Sequence, residues 1–443
     1  MSTATSHEIA GNIVRRLQGS GFSAFWVGGC VRDFLLGREP QDFDIATDAR
    51  PEQIEKLFKK TIGVGRRFGV MVVVENQQQF QVATFRAEAE YRDGRRPEKV
   101  RFASAEADAL RRDFTVNGLF YDPTSGRTHD WVGGEKDLRA KIIRTIGKPE
   151  ERFAEDHLRL LRAVRFAAQL DFQIEPKTFA AVQSLAPKIQ IISAERVRDE
   201  LMKLFRPPHA ARGLARLRDS GLLEQILPEL AATASCEQSP EYHPEGTVFE
   251  HIQLMLEKAP PDAGELLCWA VLLHDIAKPA TAEKDPATGA IHFYGHEKVG
   301  AEMAGRILER LRFPRKQIEE IVACVRQHMQ FKDVRQMRKA TLRRLLLRET
   351  FPLELELHRL DCLGSHGSLE HYHFLLEQME ELKKKPAIRP PLLTGNDLIA
   401  LGMKPGPPMG ALLNEIRDRQ LAEELKTPRQ AKAWAKRRIG RIK

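Results

Sequence analysis

The stretch FWVGGCVRDFLLGREPQDFDI, Phe25 to Ile45, sets a glycine pair, an Arg-Asp pair and two aspartates within one short span. Gly28 and Gly29 ahead of a helix let the backbone approach a phosphate, and the free N–H groups of the first helical turn favour an anion there. Arg32 follows one turn later, spaced to offer its guanidinium fork to phosphate oxygens, with Asp33 available to pair with an arginine or cap local backbone. Asp42 and Asp44 lie two apart in a β-like run, so both carboxylates project from one face while Phe43 faces the opposite layer. Two such carboxylates suit a pair of Mg²⁺ ions in an in-line phosphoryl transfer. An isolated Asp-x-Asp is common as turn chemistry. Following a glycine turn and an arginine, it reads as a nucleotide site.

Two further clusters extend that reading. In LRRDFTVNGLFYDP, Arg111, Arg112, Asp113 and Asn117 precede a strand-like piece; Arg112 is placed for charge-assisted contact with a triphosphate, and Asp113 and Asn117 can orient the local chain. In EDHLRLLRAVR, Asp156, Arg159, Arg162 and Arg165 recur every three residues and follow one slowly drifting helical stripe. An ordinary amphipathic helix with a Glu155–Arg159 ion pair, worth about 0.2–0.5 kcal/mol, has the same pattern. The sharper reading is base selection. A carboxylate accepting from an exocyclic amine, beside a guanidinium donating to a ring nitrogen, complements cytosine and adenine and opposes uracil and guanine.

Composition narrows the partners. The 443 residues carry a net charge of +9, with 30% charged and 42% hydrophobic side chains, a globular balance with room for about three domains at roughly 150 residues each. The positive balance and the basic run KTPRQAKAWAKRRIGRIK point to a polyanion, nucleic acid first, although a solvated basic tail reads the same. The apolar run Leu266–Leu273 is far short of the roughly 18 residues that span a bilayer, and the N-terminal stretch lacks the apolar centre of a signal peptide, so a cytoplasmic protein with no membrane partner is expected. Five scattered cysteines without CxxC spacing suggest reduced packing residues.

Short β-rich pieces mix with helices up to about Pro149. They include Ala24–Val27, a strand over Phe43–Ala46 and the hairpin GVMVVVENQQQFQVATF with its polar tip at Glu75–Gln79. Beyond that point helical periodicity dominates, broken at CEQSPEYHPEGT and AIRPPLLTGNDL. The expected architecture is α+β and multidomain.

Taken together, WVGGCVRD, DFDIAT, TFR, RRDFTVNGLFYD and ERFAEDHLRLLRAVRFAAQL resemble the class II tRNA nucleotidyltransferase and bacterial poly(A) polymerase family over roughly residues 20 to 230. The resemblance implies a polymerase-β-like nucleotidyltransferase head over 20–150, a helical base-reading neck over 151–206 and a helical body over 207–245. It also implies attack of an RNA 3′ hydroxyl on the α-phosphate of CTP or ATP, with release of pyrophosphate. By position, Gly28, Gly29 and Arg32 would bind the triphosphate, Asp42 and Asp44 the Mg²⁺, Arg112 the nucleotide, and Asp156 with Arg159 the base edge. Arg162 and Arg165 would serve as phosphate contacts or structural supports. Gln81 stands where many relatives carry a third acid, and an amide cannot act as a base.

A histidine series follows in 246–385: His251, His274-Asp275, His296, His328 and Asp361. Imidazole and carboxylate ligands of this kind suit one or two divalent metals that generate hydroxide for phosphate-ester hydrolysis. The order resembles the HD phosphohydrolase domain. That likeness makes His251, His274, Asp275 and Asp361 the first ligands of a divalent metal such as Mn²⁺ or Ni²⁺, His296 and His328 further ligands if the site holds two ions, and Lys278 a phosphate contact. Residues 386–443 are expected to form a helical basic tail for RNA.

The reading that unites these parts is addition of CCA, or part of it, to tRNA 3′ ends. Its rivals are a poly(A) polymerase, a phosphohydrolase whose head only binds RNA, and a non-catalytic RNA-binding protein.

Overall fold

A computed structural model describes residues 5–87, 101–239, 243–384 and 390–440; the first residues of the break at 387–398, the middle of that at 236–247 and the last three residues of the basic run lie outside them. The chain forms two compact units, Met1–Ala231 and Ala232–Lys443. No helix among the described residues is long and apolar enough to cross a membrane.

The first unit is built on a seven-stranded sheet. In chain order its strands are β1 (Ala24–Val27), β2 (Asp44–Thr47), β3 (Thr61–Gly65), β4 (Val70–Glu75) and β5 (Gln78–Thr84). After a short ribbon of β6 (Arg86–Ala87) and β7 (Arg101–Phe102) come β8 (Phe120–Asp122) and β9 (Arg127–His129). The spatial order is β3-β4-β5-β2-β1-β8-β9, with β2 and β5 parallel and the other neighbours antiparallel. The hairpin foreseen at Glu75–Gln79 is present. Asn76 and Gln77 both take positive φ, 49° and 65°, as a two-residue turn matching the twist of its strands requires.

The strand expected over Phe43–Ala46 begins instead at Asp44, where pairing with Gln81 of β5 starts; Asp42 lies in the bend ahead of it. Phe43 is buried and packs edge-on against Trp26, ring centroids 4.8 Å apart, so it faces the layer opposite the carboxylates as its parity requires. On the other face Val27, Ala46, Phe85, Ala109 and Phe120 close a core. All five cysteines are buried and unpaired.

After the sheet the first unit is helical. The single helix read across Glu151–Leu170 is two, Pro149–Glu155 and Leu158–Leu170, because Asp156 adopts extended backbone (φ −155°, ψ 103°) between them. Gly221, at φ 72°, likewise divides Ala210–Asp219 from Leu222–Ile226. In the second unit helices Val248–Lys258, Glu265–Leu273, His296–Arg310, Arg315–Gln327 and Phe351–Gly364 carry the histidine series. The C-terminal helices close a core of their own around Leu398, Leu412 and Ile416.

The turn Thr115–Asn117 is held from behind by Gly134. A Cβ there would stand 2.2 Å from the Thr115 carbonyl oxygen and 2.9 Å from Leu119 Cδ2, and Thr115 is itself tied by its hydroxyl to Asp137 at 2.7 Å. A backbone carbonyl has little room to yield. Gly134→Ala is therefore expected to destabilise the protein by about 1–3 kcal/mol, read as a lowered thermal midpoint.

Candidate active site

The glycine turn, the acidic strand end and the arginine-rich segments converge on one cavity of about 500 Å³ in the first unit. Gly28 caps the helix Gly29–Leu35 at φ 75°, in the left-handed region, and a Cβ on it would press to 3.0 Å from Arg112 Nη1. The conformation demands glycine. The wall carries seven arginines against three aspartates, a balance that selects an anionic ligand.

Six of the seven guanidiniums are held by an acid, while Arg86 donates to the Phe68 carbonyl oxygen at 3.5 Å, and the sequence did not announce most of these partners. Buried Asp108 takes Arg111 on one oxygen (2.6 and 2.9 Å) and Arg112 on the other (3.0 and 3.2 Å). Its spacing three and four residues ahead of them on a helix was the available signal. Arg32 spends its fork on Asp33, at 2.9 and 3.0 Å, and donates Nη1 to Asn117 Oδ1 at 2.8 Å. It lines the cavity as a fixed charge instead of the open fork expected.

Asp156 and Arg159 both line the cavity but do not pair with each other. Arg159 is bound to Glu155, the helical pair foreseen as the ordinary alternative. Asp156 is gripped by Arg196 at 2.7 and 3.2 Å, a cavity residue sequence reasoning missed because it lies 40 positions away. Arg162 is in the wall, bound to Asp113 at 2.6 and 2.8 Å. Arg165 is not in the wall: six residues beyond Arg159 the helix has turned it by about 120°. It pairs with Glu200 at 2.5 Å and stacks on Phe166.

Asp44 lines the cavity opposite Gln81, and Asp42 stands beside it. Among the described residues neither carboxylate has an ion pair or side-chain hydrogen bond. Partial desolvation raises Asp44 above the ordinary carboxylate range; the Arg112 charge opposes this and the Asp42 charge adds to it. Two neighbouring acceptor-only groups left free of cations fit Mg²⁺, a hard ion that takes oxygen ligands.

The second unit gathers the histidine series into two adjoining groups, His251, His274 and Asp361, and Asp275, His296 and His328. His274, His296 and His328 each direct Nδ1 to a backbone carbonyl, of Val271, Phe293 and Val325, at 2.7–2.8 Å. The Nδ1 proton is fixed, so each Nε2 presents a lone pair. Two of these, on His296 and His328, face each other at 3.1 Å, and His274 Nε2 is buried with no hydrogen-bond partner. Converging lone pairs without a donor fit a divalent cation. Burial holds His328 down at about 4, neutral as a ligand must be. Lys278, expected on a phosphate, is buried, bonded to Asp275 at 2.7 Å and Gln238 at 2.6 Å.

A mixed sheet that displays two free carboxylates beside an anion-selecting cavity defines a nucleotidyltransferase. Family models match in the same order: "Poly A polymerase head domain" over 24–144, "Probable RNA and SrmB- binding site of polymerase A" over 171–233 and "HD domain" over 243–362. The A-adding tRNA nucleotidyltransferase of Deinococcus radiodurans is 34% identical over 428 residues, 93% of this chain and 94% of that one. The CCA-adding enzyme of Enterococcus faecalis is 45% identical over 207 residues, 46% of this chain and 51% of that one. The crystal structure of the Bacillus stearothermophilus CCA-adding enzyme in complex with CTP superposes with a TM-score of 0.76 at 28% identity, covering 99% of both chains. The chain belongs to the tRNA nucleotidyltransferase and poly(A) polymerase family, with an HD domain in its second unit.

The Asp113–Arg162 contact gives a pH test. Burial would raise Asp113, but the Arg162 charge and hydrogen bonds, with the Asn117 amide, hold it from 3.8 down to about 2. A depressed carboxylate contributes in full above its unfolded value and loses that contribution as pH falls through the folded one. Asp113→Asn is expected to remove about 2 kcal/mol at neutral pH and to flatten the loss of stability between pH 4 and 2, measured by urea denaturation across that range.

Proposed function

We propose that this chain adds CCA, or part of it, to tRNA 3′ ends from CTP and ATP in the cytoplasm, releasing pyrophosphate. The observation that carries the reading is the pair of cation-free carboxylates, Asp42 and Asp44, at the edge of a cavity lined by seven arginines. Mg²⁺ bound there would activate the 3′ hydroxyl and neutralise the triphosphate. Gly28, Gly29, Arg32 and Arg112 cradle the phosphates, with Asp108 and Asp33 keeping the guanidiniums aimed. Asp156 accepts from the exocyclic amine of cytosine or adenine while Arg196 holds its carboxylate, and Arg159 donates to the ring. Residues 20–150 thus act as head and 151–206 as neck, with no nucleic-acid template needed.

Restriction to the final adenosine is a second reading, favoured by similarity across nearly the whole length to the A-adding enzyme of Deinococcus radiodurans. For the second unit we infer a divalent-metal centre that hydrolyses phosphate esters, in which the ligated ion supplies hydroxide.

Purified protein with Mg²⁺, labelled CTP or ATP, and tRNAs ending before the CCA, after one C and after two, tests the transfer. AMP on the tRNA ending in two cytidines is expected. CMP on the shorter tRNAs establishes the full triplet, and tailing of unrelated RNA with ATP alone overturns the tRNA reading in favour of poly(A) synthesis. Asp44→Asn is expected to lower the rate by about a thousandfold, equivalent to about 4 kcal/mol of transition-state stabilisation. Asp156→Asn keeps the side chain's shape but replaces an acceptor with a donor, so misincorporation of UMP and GMP should rise by about 1–3 kcal/mol in selectivity.

A further inference from the structure

Three of the four histidines of the second unit's centre direct Nδ1 to a backbone carbonyl; the fourth does not. His251 is fully buried, and its Nδ1 lies 2.6 Å from Glu245 Oε1 while its Nε2 lies 3.1 Å from Asp361 Oδ1. The local chain is built to bring Glu245 there. Thr247 caps the helix Val248–Lys258 and exchanges hydrogen bonds with Glu250. Gly246, at φ 116°, turns the preceding residues back over the first turn, and a Cβ at that position would meet Glu250 Oε2 at 2.2 Å. The Glu245 side chain is 9% exposed, and its Oε1 also binds His243 Nδ1 at 2.9 Å. Its Oε2 is buried with no hydrogen-bond partner. A buried carboxylate with one idle oxygen is costly, and a purely structural acceptor for one imidazole proton could have been a carbonyl, as at the other three histidines.

We propose that Glu245 is a positioning residue of the metal centre, holding the proton on His251 Nδ1 so that Nε2 is presented to the ion as an unusually strong donor. The inference rests on the divalent-metal reading of this centre. A carboxylate acceptor draws the Nδ1 proton more strongly than a carbonyl does, which makes the opposite nitrogen more basic. His251 therefore differs from His274, His296 and His328, and the group containing it, with His274 and Asp361, is the tighter of two metal positions. His243 completes the device by pinning the same carboxylate oxygen. Neither His243 nor Glu245 touches the ion.

Untagged full-length protein is titrated with Co²⁺ in excess Mg²⁺, which occupies the carboxylates of the first unit, and followed by calorimetry and by the visible d–d bands of Co²⁺. Two positions of unequal affinity are expected in the natural chain. Glu245→Gln, nearly isosteric and still able to accept from Nδ1, should keep both positions but weaken the tighter one by about 10-fold, and Glu245→Ala by up to about 100-fold, with shifted bands. Glu245→Asp, which retains the charge but withdraws the carboxylate by one methylene, should move in the same direction even if the other two variants fold poorly. Melting of the metal-free variants runs alongside. Unchanged affinity and spectrum in Glu245→Gln and Glu245→Asp overturns the role of Glu245 while leaving the centre intact. No Co²⁺ binding by the natural chain, with His274→Ala indistinguishable from it, overturns the centre and this inference with it.

Discussion

Seven guanidiniums around a space of about 500 Å³ repel one another, and the first unit exists in this form because acids stand behind six of them. Two unit charges about 6 Å apart at an effective dielectric of about 20 repel by about 3 kcal/mol, enough that an uncompensated set would splay its side chains into solvent. Asp108 restrains two arginines, Asp113 and Glu200 share Arg162, and Asp33, Glu155 and Asp156 each hold another. The cations stay where a polyphosphate would need them, their orientation settled before any ligand arrives. Asp113, through Arg162, also ties the sheet-bearing segment to the helix Leu158–Leu170, and Glu200 fastens that helix to Ala194–Leu204, so the same contacts that aim the site hold its walls together.

The second unit solves the opposite problem. Its centre gathers imidazoles and carboxylates around one space, and hydrogen bonds from the outer nitrogens fix the rings, to backbone carbonyls for His274, His296 and His328 and to the Glu245 carboxylate for His251. In both sites the atoms that would meet a ligand are set by a second layer of partners. Only the sign of the charge left facing inward differs.

Much of this was legible in the residues. The glycine turn, the hairpin and the helices after Pro149 all fall where local pattern placed them, since φ requirements and apolar periodicity act over a few positions. What escaped was set by long-range pairing. Asp42 dropped out of the strand: the pairing of β2 with β5 starts two residues later, at Asp44 and Gln81. Arg196, the partner of the Asp156 carboxylate, escaped because it lies 40 positions on in the chain. Arg165 left the cavity because a three-residue repeat drifts around a 3.6-residue helix. Strands β3 and β9 carry little apolar alternation, since both lie at sheet edges, and Asp108 and Glu245 look like ordinary surface acids until the fold buries them.

Each unit closes its own apolar core, Trp26, Val27 and Phe120 within one and Trp269, Phe331 and Phe351 within the other. Selection can then act on the two units at separate rates: the sequence of the second can drift while the first keeps its fold. The uneven reach of the relatives fits this independence, for the Enterococcus faecalis enzyme aligns with about half of the chain and the Deinococcus radiodurans enzyme with nearly all of it.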